Sequence, residues 1–185
     1  MGFKGSRNGE LSGFHDIRPV GRKKCIGQEL LKNFVICDAE KFEEKLSAGK
    51  NILIIADNAG EAVFDRVLIE SLKDKKATYA VQAEPIINDI TMEKAKLAGI
   101  DQCTRIISTG CNTPSIIFEE CSKEFLETYE QADIVLSKGQ GNYAPPADEG
   151  RDVFILLKAK CSIIAEALGV GYNDYVFKYK KQVKL

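Results

Sequence analysis

Short apolar segments recur along the chain, and most of them are separated by stretches with helical periodicity. The apolar segments are rich in isoleucine and valine, as is typical of buried strands. They occupy six ranges: Ile52–Ile55, Tyr79–Val81, Arg105–Ile107, Ile134–Leu136, Val153–Leu157 and Tyr175–Phe177. Because strands that alternate with helices form α/β units, the pattern predicts a three-layer, doubly wound α/β fold with a mostly parallel sheet.

The segment after the first of these strands has the clearest helical pattern. Five apolar residues recur at four-residue intervals on one stripe, and three acidic residues fall outside it. The apolar residues are Val63, Val67, Phe64, Leu68 and Leu72, and the acidic ones are Glu61, Asp65 and Glu70. We therefore predict an amphipathic helix that buries the apolar stripe.

Three other helices are predicted from their ends and their periodicity. Asp38 is placed to cap a helix over Ala39–Ala48. Two more are expected at about Met92–Leu97, ending near Gly99, and at about Cys121–Gln131.

The first 24 residues differ from the rest, since they are glycine-rich and show no sustained periodicity. With 185 residues and 44% hydrophobic content, the remainder can bury one sizeable core. We predict an irregular arm over residues 1–25 and a single α/β domain over residues 26–185.

Composition limits the partners and the location of the protein. The 26 basic and 27 acidic residues nearly cancel, so no overall field attracts nucleic acid or an anionic membrane. The six cysteines form no C-x-x-C pair, and there is neither a signal-peptide pattern nor an apolar stretch long enough to cross a bilayer. We expect a cytoplasmic protein with reduced thiols; its oligomeric state stays open.

Polar residues follow the first predicted strand at its carboxyl end. Asp57 offers a carboxylate and Asn58 a neutral carbonyl oxygen, a hard-oxygen pair suited to Mg²⁺ or Mn²⁺. Gly60 would allow the backbone to approach a ligand closely, and the helix that begins near Glu61 presents free N–H groups. The sequence therefore marks this strand end as a candidate metal or anion site.

A second polar cluster follows the next strand. Asp89 could bring another carboxylate to the same rim, because neighbouring parallel strands end side by side. The alternative interpretation is that Asn88 or Asp89 caps the following helix.

A third cluster, Lys138-Gly139-Gln140-Gly141-Asn142, follows the strand over Ile134–Leu136. Its glycines allow backbone amides to turn toward an anion, and Lys138 would act as a point charge on a phosphate. It is not a P-loop, because the lysine precedes the glycines. Each cluster alone is also compatible with turn formation or helix capping. Together they place two carboxylates, an amide, a lysine and glycine-rich backbone at the ends of three strands, a combination typical of a metal-assisted phosphoryl-transfer site.

These residues lie in segments that resemble a known family. The segments read, in chain order, ADNAGEAVFD, EPIINDITMEKAKLAGI, ADIVLSKGQGNY and FILLKAKCSIIAEALGV. They are similar to the damage-control phosphatases, metal-dependent phosphatases once catalogued as a domain of unknown function. The likeness covers roughly Phe34 to Phe177 and is closer to the archaeal and bacterial branch than to the eukaryotic branch first described as acidic-residue methyltransferases.

The resemblance implies roles for individual residues. Asp57, Asn58 and Asp89 would be catalytic ligands of Mn²⁺, Co²⁺, Ni²⁺ or Mg²⁺. Substrate phosphate would be held by Lys138 with the loop residues Gly139, Gly141 and Asn142, and Gly60, Glu61 and Asn88 would complete the substrate site. Glu61 and Asp65 would contact and orient the metal ligands without binding the metal themselves. The implied activity is hydrolysis of phosphomonoesters of small metabolites, such as sugar phosphates or phosphopantetheine-like compounds.

The chain departs from the family pattern in three places. Family members usually carry an N-terminal helical region, which the first 33 residues are too few to supply. Gln82 stands where an arginine is common, and Ala144 where an acidic residue often follows the Asn-aromatic pair.

Direct attack by a metal-activated water is the favoured mechanism, since the only histidine, His15, lies in the glycine-rich N-terminal segment and no serine–histidine pair is available for a covalent route. Two alternatives stay open. The same rim could bind a nucleotide or phosphometabolite without chemistry. The protein could also be an S-adenosylmethionine-dependent carboxyl methyltransferase. Such an enzyme needs a glycine-rich loop after the first strand and an acid at the end of the next strand to hold its cofactor, and the segment DNAGE and the region of Asp89 loosely resemble these two features.

Overall fold

The computed structural model describes residues 31–72, 74–143 and 151–181, and from Phe34 onward the chain forms one compact unit. Its sheet consists of β1 (Phe34–Cys37), β2 (Asn51–Ile55), β3 (Lys76–Val81), β4 (Arg105–Ser108), β5 (Ile134–Lys138), β6 (Val153–Lys158) and β7 (Tyr175–Lys180). Its helices are α1 (Ala39–Ala48), α2 (Ala62–Ser71), α3 (Met92–Leu97), α4 (Lys123–Gln131) and α5 (Ser162–Leu168).

The strand order is β1-β7-β6-β5-β2-β3-β4, and every neighbouring pair is parallel except β6 with β7. From β2 the chain first moves outward to β3 and β4, then returns to place β5 on the other side of β2. The order therefore reverses between β2 and β5, which is where doubly wound sheets bind ligands.

Two apolar clusters cover the two faces of the sheet. One contains buried residues of α1, α2 and α3, namely Phe42, Ala62, Ile69 and Ala95, packed on side chains such as Ile52 and Ile54 of β2. The other contains Phe125, Tyr129, Ala165 and Leu168 of α4 and α5, packed on side chains such as Leu53 and Ile55 of the same strand. The predicted three-layer, doubly wound α/β fold is confirmed.

All six predicted strands are present, each within a few residues of its expected bounds. The predicted helices over Ala39–Ala48 and Met92–Leu97 have the expected bounds, and the one expected from Cys121 begins at Lys123, after its capping residue Ser122. The strand β1 was not predicted. It lies at the edge of the sheet, pairs only with β7 and is mostly exposed, so it lacks the buried apolar pattern of the others.

The predicted buried face of α2 is correct for Leu68 and Leu72, which pack against the apolar core, but wrong for the other three residues. Val63, Phe64 and Val67 are between 57% and 63% exposed. The buried residues are Ala62, Asp65 and Ile69. The helical period was correct, but the buried face is shifted because Asp65, predicted to lie outside it, is paired with Lys138 inside the protein.

Asp38 directly precedes α1 as expected, but its side chain makes no capping hydrogen bond. Its Oδ2 accepts a hydrogen bond from the backbone N–H of Tyr179 in β7, at 2.6 Å. The residue therefore ties the start of the helix to the sheet.

The predicted arm over residues 1–25 lies outside the described residues. Within the described ranges, every helix is too short or too polar to cross a bilayer.

Candidate active site

A cavity of about 670 Å³ opens at the carboxyl ends of β2 and β5, where the strand order reverses. Eight predicted site residues line it: Asp57, Asn58, Glu61, Asn88, Asp89, Lys138, Gly139 and Gly141. A second cavity of the same volume lies beside Asp133 and Asp152, which precede β5 and β6, and contains none of them. The predicted site residues that line a cavity therefore all lie at the first one.

The backbone brings Asp57 and Asp89 to the same rim. Asn58 and Asp89 form an antiparallel bridge, and the N–H of Ile90 donates to the carbonyl of Asp57 at 2.9 Å. The segment after β3 is thus hydrogen-bonded along the segment after β2. Neither Asn88 nor Asp89 occupies the capping position of α3, which is taken by Thr91.

The two carboxylates interact electrostatically. Burial and the charge of Asp57 raise the pKa of Asp89 to about 6. Burial, followed by the charge of Glu61, raises the pKa of Asp57, although Lys138 and Lys160 oppose the shift. Such a pair is destabilised when both members are ionised, and a cation between them would relieve the repulsion.

The side-chain amide of Asn58 links this pair to its surroundings. Its nitrogen donates to Oδ2 of Asp57 at 2.6 Å and to Oε1 of Glu61 at 3.0 Å. Its oxygen accepts a hydrogen bond from the amide of Asn88. The nitrogen thus faces the carboxylates, and a half-turn about the Cβ–Cγ bond would present the oxygen instead.

Lys138 is almost fully buried between two acids. Its Nζ lies 2.7 Å from Oε2 of Glu61 and 2.7 Å from Oδ1 of Asp65. Burial alone would lower the pKa of Lys138, but the charges of Asp65 and Glu61 outweigh it and raise the pKa. The lysine is therefore cationic and held in one position, with one of its three N–H donors left over.

Asp65 extends this network into the core. Its Oδ2 accepts a hydrogen bond of 2.6 Å from the hydroxyl of Tyr79, a fully buried residue of β3. Burial and the charge of Asp65 raise the pKa of Tyr79, so the phenol stays protonated and donates. The position of Lys138 is thereby fixed, through Asp65, to a buried side chain of β3.

Gly139 packs directly on the carboxylate of Asp57. An added Cβ would lie 2.3 Å from Cγ of Asp57, and the φ angle of this residue is +82°. Its N–H donates to the carbonyl of Leu156 at 3.0 Å and so continues the sheet. The N–H of Gly139 is therefore engaged in the sheet and does not turn toward an anion, and the glycine instead provides room for Asp57.

Two predicted substrate residues do not line the cavity. Gly60 is exposed beside it, and an added Cβ there would meet nothing within 4 Å. Asn142 is buried, and its amide nitrogen donates to the carbonyls of Lys138 at 3.0 Å and Ala56 at 3.3 Å. Asn142 therefore holds the loop against the end of β2 rather than facing a ligand.

The donor set suits a divalent cation. Four carboxylates and three lysines line the cavity, so one divalent ion would change the formal balance from one negative to one positive charge. Among the described residues no three His, Cys, Asp or Glu side chains cluster as a metal site. The set is instead two carboxylates, Asp57 and Asp89, with the amide of Asn58, a hard-oxygen combination that fits Mg²⁺ or Mn²⁺.

Comparison with known proteins identifies the family of this chain. Residues 17–176 match the damage-control phosphatase ARMT1-like domain. The chain belongs to the damage-control phosphatase ARMT1-like family. The confirmed resemblance rests on the same segments that build the cavity.

Relatives and a solved structure agree with this assignment. The ARMT1-like chain is 36% identical over 148 residues to damage-control phosphatase PH1575 of Pyrococcus horikoshii and 37% identical over 155 residues to a damage-control phosphatase of Archaeoglobus fulgidus. These matches cover 77% and 82% of the chain but 52% of each relative. It is also 46% identical over 133 residues to the uncharacterized protein MJ0202 of Methanocaldococcus jannaschii, covering 69% of this chain and 44% of that protein.

The crystal structure of the DUF89 family protein PH1575 from Pyrococcus horikoshii has the same fold, with a TM-score of 0.82 at 34% identity. The alignment covers 89% of this chain and 59% of that one. The ARMT1-like chain described here thus spans about half the length of the curated relatives it matches.

Sequence reasoning missed part of the ARMT1-like site. Tyr79 was read only as a strand residue, and Lys160, which lines the cavity and acts on Asp57, was not singled out. Gln82, which replaces a common arginine, is buried and accepts a hydrogen bond of 3.2 Å from the hydroxyl of Thr109. Ala144 lies outside the described residues.

Gly139→Ala should weaken divalent-metal binding by about tenfold or more, because the new methyl group collides with the carboxylate of Asp57 in this ARMT1-like domain. Gly169→Ala is the matched control, since Gly169 has φ +69° and an added Cβ meets nothing within 4 Å. Both variants carry a similar backbone cost of about 1–2 kcal/mol. Calorimetric titration with Mn²⁺ checks the difference, and equal affinities in the two variants would contradict the packing argument.

Proposed function

We propose that this domain is a metal-dependent phosphatase that hydrolyses phosphomonoesters of small metabolites, such as sugar phosphates or phosphopantetheine-like compounds. Asp57, Asn58 and Asp89 would hold the divalent ion, Mn²⁺, Co²⁺, Ni²⁺ or Mg²⁺. The damage-control phosphatase names of the relatives support the phosphatase class. The metal, the substrate and the mechanism are our own proposal.

The observation that carries the proposal is the meeting of Asp57 and Asp89, each with a raised pKa, beside the buried cation of Lys138. Without a bound cation the lining carries a formal excess of one negative charge, which would repel a phosphate dianion. A bound divalent ion would make the net formal charge of the cavity positive. The site would thus attract a phosphate only when the divalent ion is bound.

When bound, the ion would polarise a phosphate oxygen and lower the pKa of a water molecule for in-line attack. The residues of the chain would then orient the substrate. Lys138, fixed by Glu61 and Asp65, would direct its remaining N–H toward the phosphate and offset charge on the transferring oxygens. Lys160 at the exposed rim would add a second positive charge.

The apolar part of the cavity lining supports an organic leaving group. It includes Phe64, Leu68, Ile87 and Leu156, and the cavity volume of about 670 Å³ falls in the range of small-molecule sites. A lining with both charged and apolar side chains fits a metabolite that carries a phosphate. The comparisons favour neither a non-catalytic binding module nor a methyltransferase.

The test is phosphate release from a panel of sugar phosphates and 4′-phosphopantetheine, measured with Mg²⁺, Mn²⁺, Co²⁺ or Ni²⁺ and with EDTA. We expect release with at least one metal and none with EDTA. Metal and phosphate-ester binding by calorimetry without any release would favour the binding module. Binding of S-adenosylmethionine without metal would favour the methyltransferase.

The metal-free protein should become more stable as the pH falls from 7 to 5. Because the folded-state pKa of Asp89 is about 6, above the ordinary aspartate value of 3.8, the folded state binds this proton more tightly than the unfolded state. The resulting stability is full below the unfolded pKa and is lost as the pH rises through about 6. Thermal unfolding in EDTA at several pH values measures it.

Asp89→Asn should remove much of this pH response. Asp133→Asn serves as the control, because hydrogen bonds from the backbone N–H groups of Asn51 and Lys50 lower the pKa of Asp133, which therefore stays ionised throughout the range. An unchanged response in Asp89→Asn would contradict the assignment. In the wild type, stabilisation by Mn²⁺ should weaken below about pH 6, since protons and metal compete for the same carboxylates.

A further inference from the structure

Two cysteines, one after β4 and one before α4, lie in contact with each other. The sulfur of Cys111 is 3.0 Å from the sulfur of Cys121, and both thiols are free. A disulfide requires about 2.05 Å, so the two sulfurs would have to approach by only about 1 Å. Cys111 is fully buried, whereas Cys121 is partly exposed.

The backbone already holds these two positions together. Next to the cysteines in the chain, the N–H of Ser122 donates to the carbonyl of Thr109 at 2.8 Å, and the hydroxyl of Ser122 donates to the carbonyl of Ser108 at 3.0 Å. An added Cβ on Gly110 would lie 2.5 Å from the N atom of Ser122, so the two backbones touch. Bond formation would therefore need little rearrangement of the loop ends.

The loop that these cysteines would close forms part of the cavity wall. Residues 112–120 include Pro114, which lines the cavity. The carbonyl of Pro114 would be 2.7 Å from a Cβ added to Gly141, so this loop abuts the loop that follows Lys138. A covalent link across the loop would hold this wall in place.

We propose that Cys111 and Cys121 form a reversible intramolecular disulfide that pins the loop of residues 112–120 against the active-site cavity. The oxidant is a low-molecular-weight disulfide. The thiolate of Cys121 attacks it and releases one thiol, and the thiolate of Cys111 then attacks the Cys121 sulfur and releases the second. Two protein thiols and one external disulfide thus give one protein disulfide and two external thiols.

This inference is independent of the phosphatase proposal, because it concerns thiols alone. Burial and the neighbouring Cys111 raise the pKa of Cys121, so exchange should be slow at neutral pH and faster at alkaline pH. The wild-type protein is incubated with oxidised glutathione at about pH 8.5, free thiols are trapped with N-ethylmaleimide, and peptides are mapped by mass spectrometry without reduction.

We expect the loss of the free thiols of Cys111 and Cys121, a peptide pair joined through these two residues, and full reversal by dithiothreitol. The thermal midpoint should rise by about 5–10 °C, and amide hydrogen exchange in residues 112–120 should slow by about tenfold or more. Cys121→Ser should abolish the rise in the midpoint. Cys103→Ser and Cys161→Ser, at two other free cysteines, should retain it.

Three results would overturn the proposal: a stable glutathione adduct on Cys121, cross-links made chiefly by another cysteine, or a cross-linked pair without slower exchange in the loop. The mapping uses the wild-type chain, so it stays decisive even if a serine variant at the buried Cys111 fails to fold. Phosphate release need not be measured for any of these outcomes.

Discussion

Asp57→Ala should reduce metal-dependent phosphate release by about 10³-fold, provided the panel detects activity in the wild type. The substitution removes one of two carboxylates at the proposed metal site and the acceptor of the hydrogen bond from Asn58. It also removes the charge that helps to raise the pKa of Asp89. The metal-free variant should therefore be at least as stable as the wild type at pH 7.

Turnover and thermal unfolding in EDTA measure these two effects separately. Asp101→Ala is the control, since Asp101 is an exposed aspartate that does not line the cavity, and it should leave both unchanged. Full activity in Asp57→Ala would refute the metal-site assignment. Lost activity with a collapsed fold would contradict the argument that this carboxylate serves function at the expense of stability.

Lys138→Met should lower the free energy of unfolding by about 3–5 kcal/mol, because it leaves the buried carboxylate of Asp65 without its cation. The hydroxyl of Tyr79 would remain as a donor to that carboxylate, but a neutral phenol cannot replace the ammonium group. Phosphate release should also fall, since the proposed phosphate contact is lost. Urea unfolding and the phosphatase panel give the two readouts.

The double variant Lys138→Met with Asp65→Leu separates the two roles of Lys138. Replacing both members of a buried ion pair by apolar residues is often neutral or stabilising, so the double variant should recover part of the lost stability, less the cost of leaving the hydroxyl of Tyr79 without its acceptor. It should not recover activity. A double variant no more stable than Lys138→Met would show that the buried pair is not the source of the loss.

The convergence of Asp57 and Asp89 could be predicted from the sequence, because it depends only on strand order and direction. Each residue follows a strand with a clear apolar pattern, and parallel neighbours end at the same edge of a sheet. The fold class followed from the same alternation of strands and helices. The fold class and the position of these two residues can therefore be predicted from local sequence patterns alone.

Features that depend on side-chain partners could not be predicted in this way. The burial of Asp65 on the inward face of α2 was missed because it depends on an ion pair with Lys138, 73 positions later, and periodicity alone assigns an acid to solvent. The same applies to Gly139, whose glycine signals a turn in the sequence but in the structure makes room for Asp57. The contact of Cys111 with Cys121, ten positions apart, has no sequence signature at all.

Gly139 and Asp57 follow two neighbouring strands, β5 and β2, and pack directly on each other in the cavity. The two positions therefore constrain each other, because a bulkier residue in place of Gly139 would displace the carboxylate of Asp57, and a glutamate in place of Asp57 would collide with the backbone of Gly139. A design that transfers this site to a new scaffold would have to transfer both strand ends together, with the distance between them unchanged.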